Sequence, residues 1–325
     1  MGVWRIGADE LAESRFVVSP LLETVGALLV LVRGRPRLDL AQWYRAHRPA
    51  FQQLVAGDPL LPALLDGLFR PRWIADFVIP PPDAGDRTFH DALRRVRAAT
   101  PVFTRSALRE GFGGPLPHRL RRNDLGERTA TLLEWVWTQT VRADWPRRRQ
   151  LLGADIVART SQLTAGGWSA ALAGMRPGMT WLGGNELRIN AYDYPPRDLT
   201  GARLSFVPNT SPYGWVTWDE ANRHAVIYPC AGTLADSRPA SPEALARLLG
   251  TARAIVLTAL DVPRTTSQLV ALTGYGLGSV GGHLAVLRDA ELVTRRRAGR
   301  SVLYIRTQLG NRLVAATTSG RTGLS

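Results

Sequence analysis

The chain has 325 residues, of which 45% are hydrophobic, 8% aromatic and 21% charged. This is an ordinary globular composition, and it excludes a disordered, collagenous or low-complexity chain. The formal net charge is +14 and every one of the 41 basic residues is arginine, while the length is about twice that of a common domain, so two domains are expected.

In chain order, Trp4 to Ile6 reads as a short strand and Asp9 to Glu13 as the start of a helix. Ser19-Pro20 places a cap residue before proline at a first helical position, and the helix through Leu21, Val25, Leu28, Leu29 and Val32 is apolar on most sides and expected to be buried. Further helices are predicted over Asp39 to Val55, broken or kinked at Pro49, then Pro59 to Phe69, Thr88 to Ala98 and Asp124 to Val141. Asp144-Trp145-Pro146 opens another, whose pattern loosens at Gly166-Gly167. After Gly174, prolines and glycines punctuate β-prone runs at Leu187 to Ala191, Arg203 to Val207, Trp215 to Trp218 and Ala225 to Tyr228, which read as a small antiparallel sheet. Gly232 to Pro242 is the linker candidate, with a domain boundary near residue 240.

The last segment is the most specific. Helices are predicted from Pro242 to Leu249 and, after Gly250, through Ala254, Ile255, Leu257 and Leu260. A capped helix at Thr265 to Thr273, a turn at Gly274-Tyr275-Gly276 and a helix from Leu277 to Asp289 make a helix-turn-helix pattern, with Val280, Leu284 and Leu287 on its apolar face. Leu292 to Arg297 and Val302 to Arg306 then form a hairpin with a basic tip, and Thr307 to Ala315 a last short helix. Residues 241–325 hold 11 arginines against four acidic residues, so half of the chain's net charge falls in its last quarter. Such asymmetry points to a polyanion partner. The expected fold is therefore mainly α with a small antiparallel β-sheet (α+β): domain 1–240 dimerises or senses an effector, and 241–325 is a winged helix-turn-helix.

Residues 243–313 resemble the DNA-binding domain of the ArsR/SmtB family of bacterial transcriptional regulators. The likeness rests on Ser279-Val280-Gly281-Gly282-His283-Leu284-Ala285-Val286-Leu287, then Leu292-Val293 and the basic stretch Arg295-Arg296-Arg297-Ala298-Gly299-Arg300. Arg15 to Leu21 and Asp76 to Pro82 further resemble the long N-terminal region of certain actinobacterial ArsR-like regulators. Two positions depart from the pattern: Gly281 stands where the family has serine, and Glu291 where a glycine usually follows the recognition helix. The resemblance implies a DNA-binding regulator, by default a repressor. The metal-sensor ligand sets are missing, because Thr265 to Thr273 holds no cysteine and Thr307 to Ala316 neither histidine nor carboxylate.

The candidate DNA-binding residues are Thr266, Ser267 and Gln268 at a helix N-terminus, Ser279, Gly282, His283 and Arg288 on the recognition helix, and Arg295, Arg296, Arg297 and Arg300 on the wing. Each has a plainer reading: cap residues, a half-buried brace at His283, a solvated hairpin. Few of these side chains make the bidentate bonds that read base edges, so phosphate contacts are expected to dominate. The ten tryptophans all precede residue 219, and Trp135, Trp168 and Trp181 are the candidates to line an apolar pocket for a small organic effector, or else fill a large core. No metal, cofactor or catalytic motif is expected. Cys230, the one cysteine, reads as a small buried hydrophobe. The expected partners are double-stranded DNA and a second copy of the chain. The Leu21 to Val32 stretch is too short to span a bilayer of about 30 Å and the N-terminus lacks a signal-peptide pattern, so no membrane partner and a cytoplasmic location are expected. A winged-helix protein-interaction module and a nonspecific architectural DNA binder are the alternatives.

Overall fold

A computed structural model describes residues 2–71, 73–192, 194–230, 243–298 and 301–318. Two units divide the chain, residues 1–235 and 236–325, and the whole is mainly helical with small mixed sheets. The linker candidate, residues 232–242, lies outside the described residues. Among the described residues no single helix is long and apolar enough to cross a membrane.

The N-terminal unit begins with β1 (Val3–Arg5), α1 (Ala8–Glu13) and β2 (Arg15–Phe16). Helix α2 (Pro20–Arg33) starts as Ser19-Pro20 predicts: Ser19 Oγ accepts the Leu22 amide at 3.2 Å, and proline costs nothing where the amide would be unpaired anyway. Gly34 closes it at φ 66°, a left-handed cap. Every residue from Leu21 to Leu31 is buried. Helix α3 (Ala41–Gly57) runs through Pro49 without a break, and α4 (Leu61–Leu68) and α5 (Phe89–Arg97) follow, the latter opened by a capping box between Thr88 and Asp91. Helix α6 (Pro101–Phe112) is not among the expected elements; only Thr104, Ala107 and Leu108 of it are buried, too few for a clear period. Its Thr100-Pro101 start nevertheless repeats the Ser19-Pro20 signal. Helix α7 (Leu125–Val136) passes into a π-helical turn at Trp137–Val141, and α8 (Trp145–Leu172) is interrupted at Gly166 and Gly167, the second at φ 67°.

The expected antiparallel sheet is replaced by two mixed four-stranded sheets. Strands β3 (Thr180–Gly183), β4 (Glu186–Arg188) and β5 (Arg197–Asp198) join β1 in the order β3-β4-β1-β5, with β1 and β5 parallel. Strands β6 (Arg203–Asn209), β7 (Trp215–Trp218) and β8 (Arg223–Pro229) join β2 in the order β2-β6-β8-β7. β6 runs parallel to both β2 and β8, and β7 is antiparallel to β8. β8 thus lies between two strands that precede it, and five consecutive residues, His224 to Tyr228, are buried, the mark of a strand covered on both faces. Trp4, Leu187, Leu204, Phe206, Val226 and Tyr228 belong to one core shared by the two sheets. His224 sits edge-on to Trp4, with ring centroids 5.5 Å apart, and nearly parallel to Trp218. Burial pushes its titration below the ordinary histidine range. Cys230 is buried.

The C-terminal unit comprises α9 (Glu243–Leu249), α10 (Thr251–Thr258), β9 (Arg264–Thr265), α11 (Thr266–Thr273), α12 (Leu277–Asp289), β10 (Val293–Ala298), β11 (Ser301–Arg306) and α13 (Gln308–Thr318). The three strands form an antiparallel sheet in the order β10-β11-β9. Val256, Leu257, Leu269, Val280, Leu284 and Leu287 are among the residues of its core.

One buried polar network ties the N-terminal unit together. Arg148 of α8 donates to Glu23 of α2 at 2.7 Å, and both side chains are 1% exposed. Glu23 also accepts the Thr210 amide at 2.9 Å and the Thr210 hydroxyl, so the chain leaving β6 is held against α2. Asn209 donates to the Leu22 carbonyl at 2.8 Å, packed where Gly26 presents no side chain; a Cβ there would overlap its amide. The Arg148 guanidinium lies 5.2 Å from the centre of the Trp43 ring, whose indole N–H donates to Thr140 O in the π-helical turn. Stranding one charge of a buried pair costs about 3–5 kcal/mol. Arg148→Met is expected to destabilise the N-terminal unit by that amount in urea unfolding. Tryptophan fluorescence isolates this unit because Trp218 is the last tryptophan in the chain; a loss below about 1 kcal/mol would show that the pair does not brace the unit.

Candidate nucleic-acid interface

Helix α11 is fixed by a reciprocal cap. Thr265 Oγ1 accepts the Gln268 amide at 3.2 Å and Gln268 Oε1 accepts the Thr265 amide at 2.6 Å, satisfying two otherwise orphaned donors. Thr265 also pairs with Leu303 of β11, so the cap and the sheet hold the same residue. Gln268 is 8% exposed. Its side chain belongs to the cap and is withdrawn from the surface, whereas Thr266 is half-buried and Ser267 exposed.

Gly274 ends α11 at φ 70°, its amide donating to Val270 O, and the connection Gly274-Tyr275-Gly276 leads directly into α12. The two helices are bent by 111°. Val280, Leu284 and Leu287 point into the core, as their spacing predicts. The opposite face exposes Gly278, Ser279, Gly282 and Val286, with His283 and Arg288 half-buried beside it. Ser279 and His283, one turn apart, are bonded to each other at 3.2 Å, and the Tyr275 ring meets the His283 ring edge-on. Arg288 is 3.2 Å from Asp289, which takes up part of its charge. A Cβ at Gly278, Gly281 or Gly282 would meet no neighbouring atom within 4 Å, so none of these glycines is required by packing inside the unit.

The end of α12 shows what position 291 must do. The Leu292 amide donates to Leu287 O and the Glu291 amide to Arg288 O, both at 2.9 Å, which is a Schellman closure. Leu287 and Leu292 are buried together behind it. This closure requires a left-handed residue, and Glu291 adopts φ 56°. The chain therefore places a glutamate where glycine is at ease.

The hairpin β10–β11 pairs Arg295 with Tyr304, Arg296 with Leu303 and Arg297 with Val302. Its base is fastened to the turn after α10 through Arg306, whose Nε donates to Leu260 O at 2.9 Å, and to the α12 closure through Thr307 Oγ1, which donates to Glu291 O at 2.7 Å. Arg295, Arg296 and Arg297 are exposed on it; Arg300 lies outside the described residues. Asp261 is consumed by Arg264 at 2.8 Å. Among the described residues neither Arg295 nor Arg296 has a carboxylate partner, so their charge faces outward.

The expected tryptophan pocket does not assemble. Trp168 is stacked on Phe16, tilted against Phe206 and, with Trp181, packs on the core of the two sheets, while Trp135 lies apart against Phe51. Aromatic packing consumes these rings. Leu277 is a residue of α12 that spacing alone misplaces: three residues before Val280 it belongs on the buried side, but as the first residue of the helix it is 63% exposed. Among the described residues no group of three or more His, Cys, Asp and Glu side chains is placed to hold a metal ion.

No protein-family model, curated protein or solved structure matches the chain.

A non-glycine residue held in the left-handed region stores about 1 kcal/mol or more. Glu291→Gly is expected to release about that much, raising amide-exchange protection of α12 roughly fivefold, whereas Glu291→Ala should leave it unchanged. Equal protection in all three proteins would remove strain as the account of this position.

Proposed function

We propose that residues 243–318 form a winged helix-turn-helix and that the chain is a sequence-specific DNA-binding transcriptional regulator, acting as a dimer and, by default, as a repressor. The observation that carries this reading is the 111° helix pair of α11 and α12 joined by three residues and followed by an arginine-bearing hairpin. An α-helix fits a major groove about 12 Å wide, and the second helix of such a pair is the one that enters it. In this chain α12 would present Ser279 and His283 as hydrogen-bonding groups, while Gly278 and Gly282 let the helix backbone approach closely. Thr266 and Ser267, at the N-terminus of α11, suit phosphate, and Arg295, Arg296, Arg297 and Arg300 supply the counter-charge along the backbone or minor groove. Two copies would address half-sites about one helical turn apart. The N-terminal unit is then left to dimerise the chain or to bind a small organic effector.

A second reading has its own observation. Leu277 is 63% and Val286 47% exposed on the α12 surface, which suits a protein partner in place of DNA. Fluorescence anisotropy on the DNA upstream of the gene and on scrambled DNA, at two salt concentrations, separates the readings. A preference of roughly a thousandfold supports the regulator. Equal, salt-sensitive binding to both DNAs supports an architectural role, and no binding near physiological salt supports the protein partner.

Two variants sharpen the test. Replacing Arg295 and Arg296 with alanine should lower the slope of log affinity against log salt by about 0.9 for each phosphate no longer neutralised; an unchanged slope would remove the wing from the interface. Gly282→Ala should strengthen α12 by up to about 1 kcal/mol, since the position is helical and open. The same change should weaken DNA binding by about tenfold or more, because the added methyl stands between helix and base edges. If affinity rises with stability, Gly282 does not face the duplex.

A further inference from the structure

The N-terminal unit contains a recess of about 580 Å³ lined by Pro59, Leu60, His118, Arg119, Arg121 and Arg122. Its basic wall is the short 3-10 turn His118–Leu120 and the two residues after it, anchored from below by Leu116 and Leu120, which are fully buried or nearly so. The arginines are positioned by main-chain acceptors. Arg119 donates to Pro59 O at 3.0 Å, tying the turn to the segment that opens α4, and Arg121 Nε donates to Leu116 O at 3.1 Å. Each bond uses one N–H of a guanidinium and leaves most of its donors for another acceptor.

The charge balance is uneven around this recess. Arg122 is held by both oxygens of Asp124 at 2.7 Å, and Arg128 by Asp124 and Asp58, so the nearby carboxylates are already engaged. Among the described residues Arg119 and Arg121 have no carboxylate partner. Two guanidiniums oriented by carbonyls but not neutralised, beside a histidine and facing an apolar wall of Pro59 and Leu60, make an oxyanion receptor with room for more than the anion. Ligand pockets commonly measure about 300–1,000 Å³.

We propose that this recess binds a compact phosphorylated small molecule, its phosphate on Arg119 and Arg121 and its less polar part against Pro59 and Leu60. The concave shape and apolar wall favour a small ligand over a nucleic-acid backbone, which needs an extended strip of charge. The proposal stands independently of DNA binding by the C-terminal unit.

The test is calorimetric titration of the full chain with inorganic pyrophosphate in phosphate-free, low-salt buffer. Saturable binding is expected, weakened about tenfold or more in the Arg119→Ala, Arg121→Ala double variant. It should persist in an Arg45→Ala, Arg149→Ala control that removes the same charge from exposed sites on α3 and α8. Both variants remove exposed side chains, and tryptophan fluorescence verifies that the N-terminal unit stays folded. If the double variant lost its fold, Arg121→Gln alone should still weaken binding severalfold. Absence of saturable binding, or equal weakening in the control, overturns the proposal. So does a double variant that loses DNA affinity while pyrophosphate never binds, which would make the recess a nucleic-acid contact.

Discussion

The N-terminal unit is organised around one charge pair taken out of water. Glu23 stands in the first turn of a helix whose residues from Leu21 to Leu31 are all buried, a position that a carboxylate occupies only if its acceptors are used. Arg148, the Thr210 amide and the Thr210 hydroxyl use them. Because these partners come from α8 and from the end of β6, satisfying one carboxylate fixes where a helix and a sheet meet α2. The pair contributes little net stability compared with an apolar replacement, but it penalises any arrangement that leaves one member alone. The same bonds fix where the chain leaves β6. With Thr210 pinned to α2, the next strand returns one position away from β6, and β8 fills the gap as a parallel neighbour of β6.

The C-terminal unit is held by local devices. A reciprocal cap starts α11, a left-handed glycine ends it, a Schellman closure ends α12, and Arg306 and Thr307 fasten the hairpin to the segment after α10 and to the α12 closure. These devices act over a few residues or between neighbouring elements, so the helix pair is precise even though α12 itself is rich in glycine. Weak intrinsic helicity on an open face and firm closure at the C-terminal end are compatible: the buried positions Val280, Leu284 and Leu287 carry the packing, while Gly278 and Gly282 leave the outer surface low and smooth. Such a surface is suited to close approach by a partner and poorly suited to reading it through long side chains.

Much of this was legible in the residue order wherever a structure depends on near neighbours. Ser19-Pro20, Thr88 with Asp91 and Thr265 with Gln268 are local start signals, and each begins a helix. The i, i+4, i+7 spacing of Val280, Leu284 and Leu287 identified the buried face of α12 because helical periodicity is a property of the backbone. Helix α6 was legible through Thr100-Pro101, yet its small buried face hid it from a periodicity reading. Gln268 shows the limit within a single motif: residue type suits it equally to a cap and to a phosphate, and only its burial assigns it to the cap.

Sequence by itself determined most of the helices and their start signals, the turn between α11 and α12, and the concentration of arginine on the hairpin, because propensity, capping and charge are set by residues a few positions apart. Tertiary structure alone decided the strand partners, since β6, β7 and β8 can satisfy their backbone bonds in parallel or antiparallel company and no residue a few positions away selects between them. It also decided the fate of the aromatic and basic side chains. Trp135, Trp168 and Trp181 are separated or consumed by packing, while Pro59 and Arg119, sixty residues apart, are brought into one recess. Proximity of that kind is created by the fold, and no local pattern in the chain encodes it.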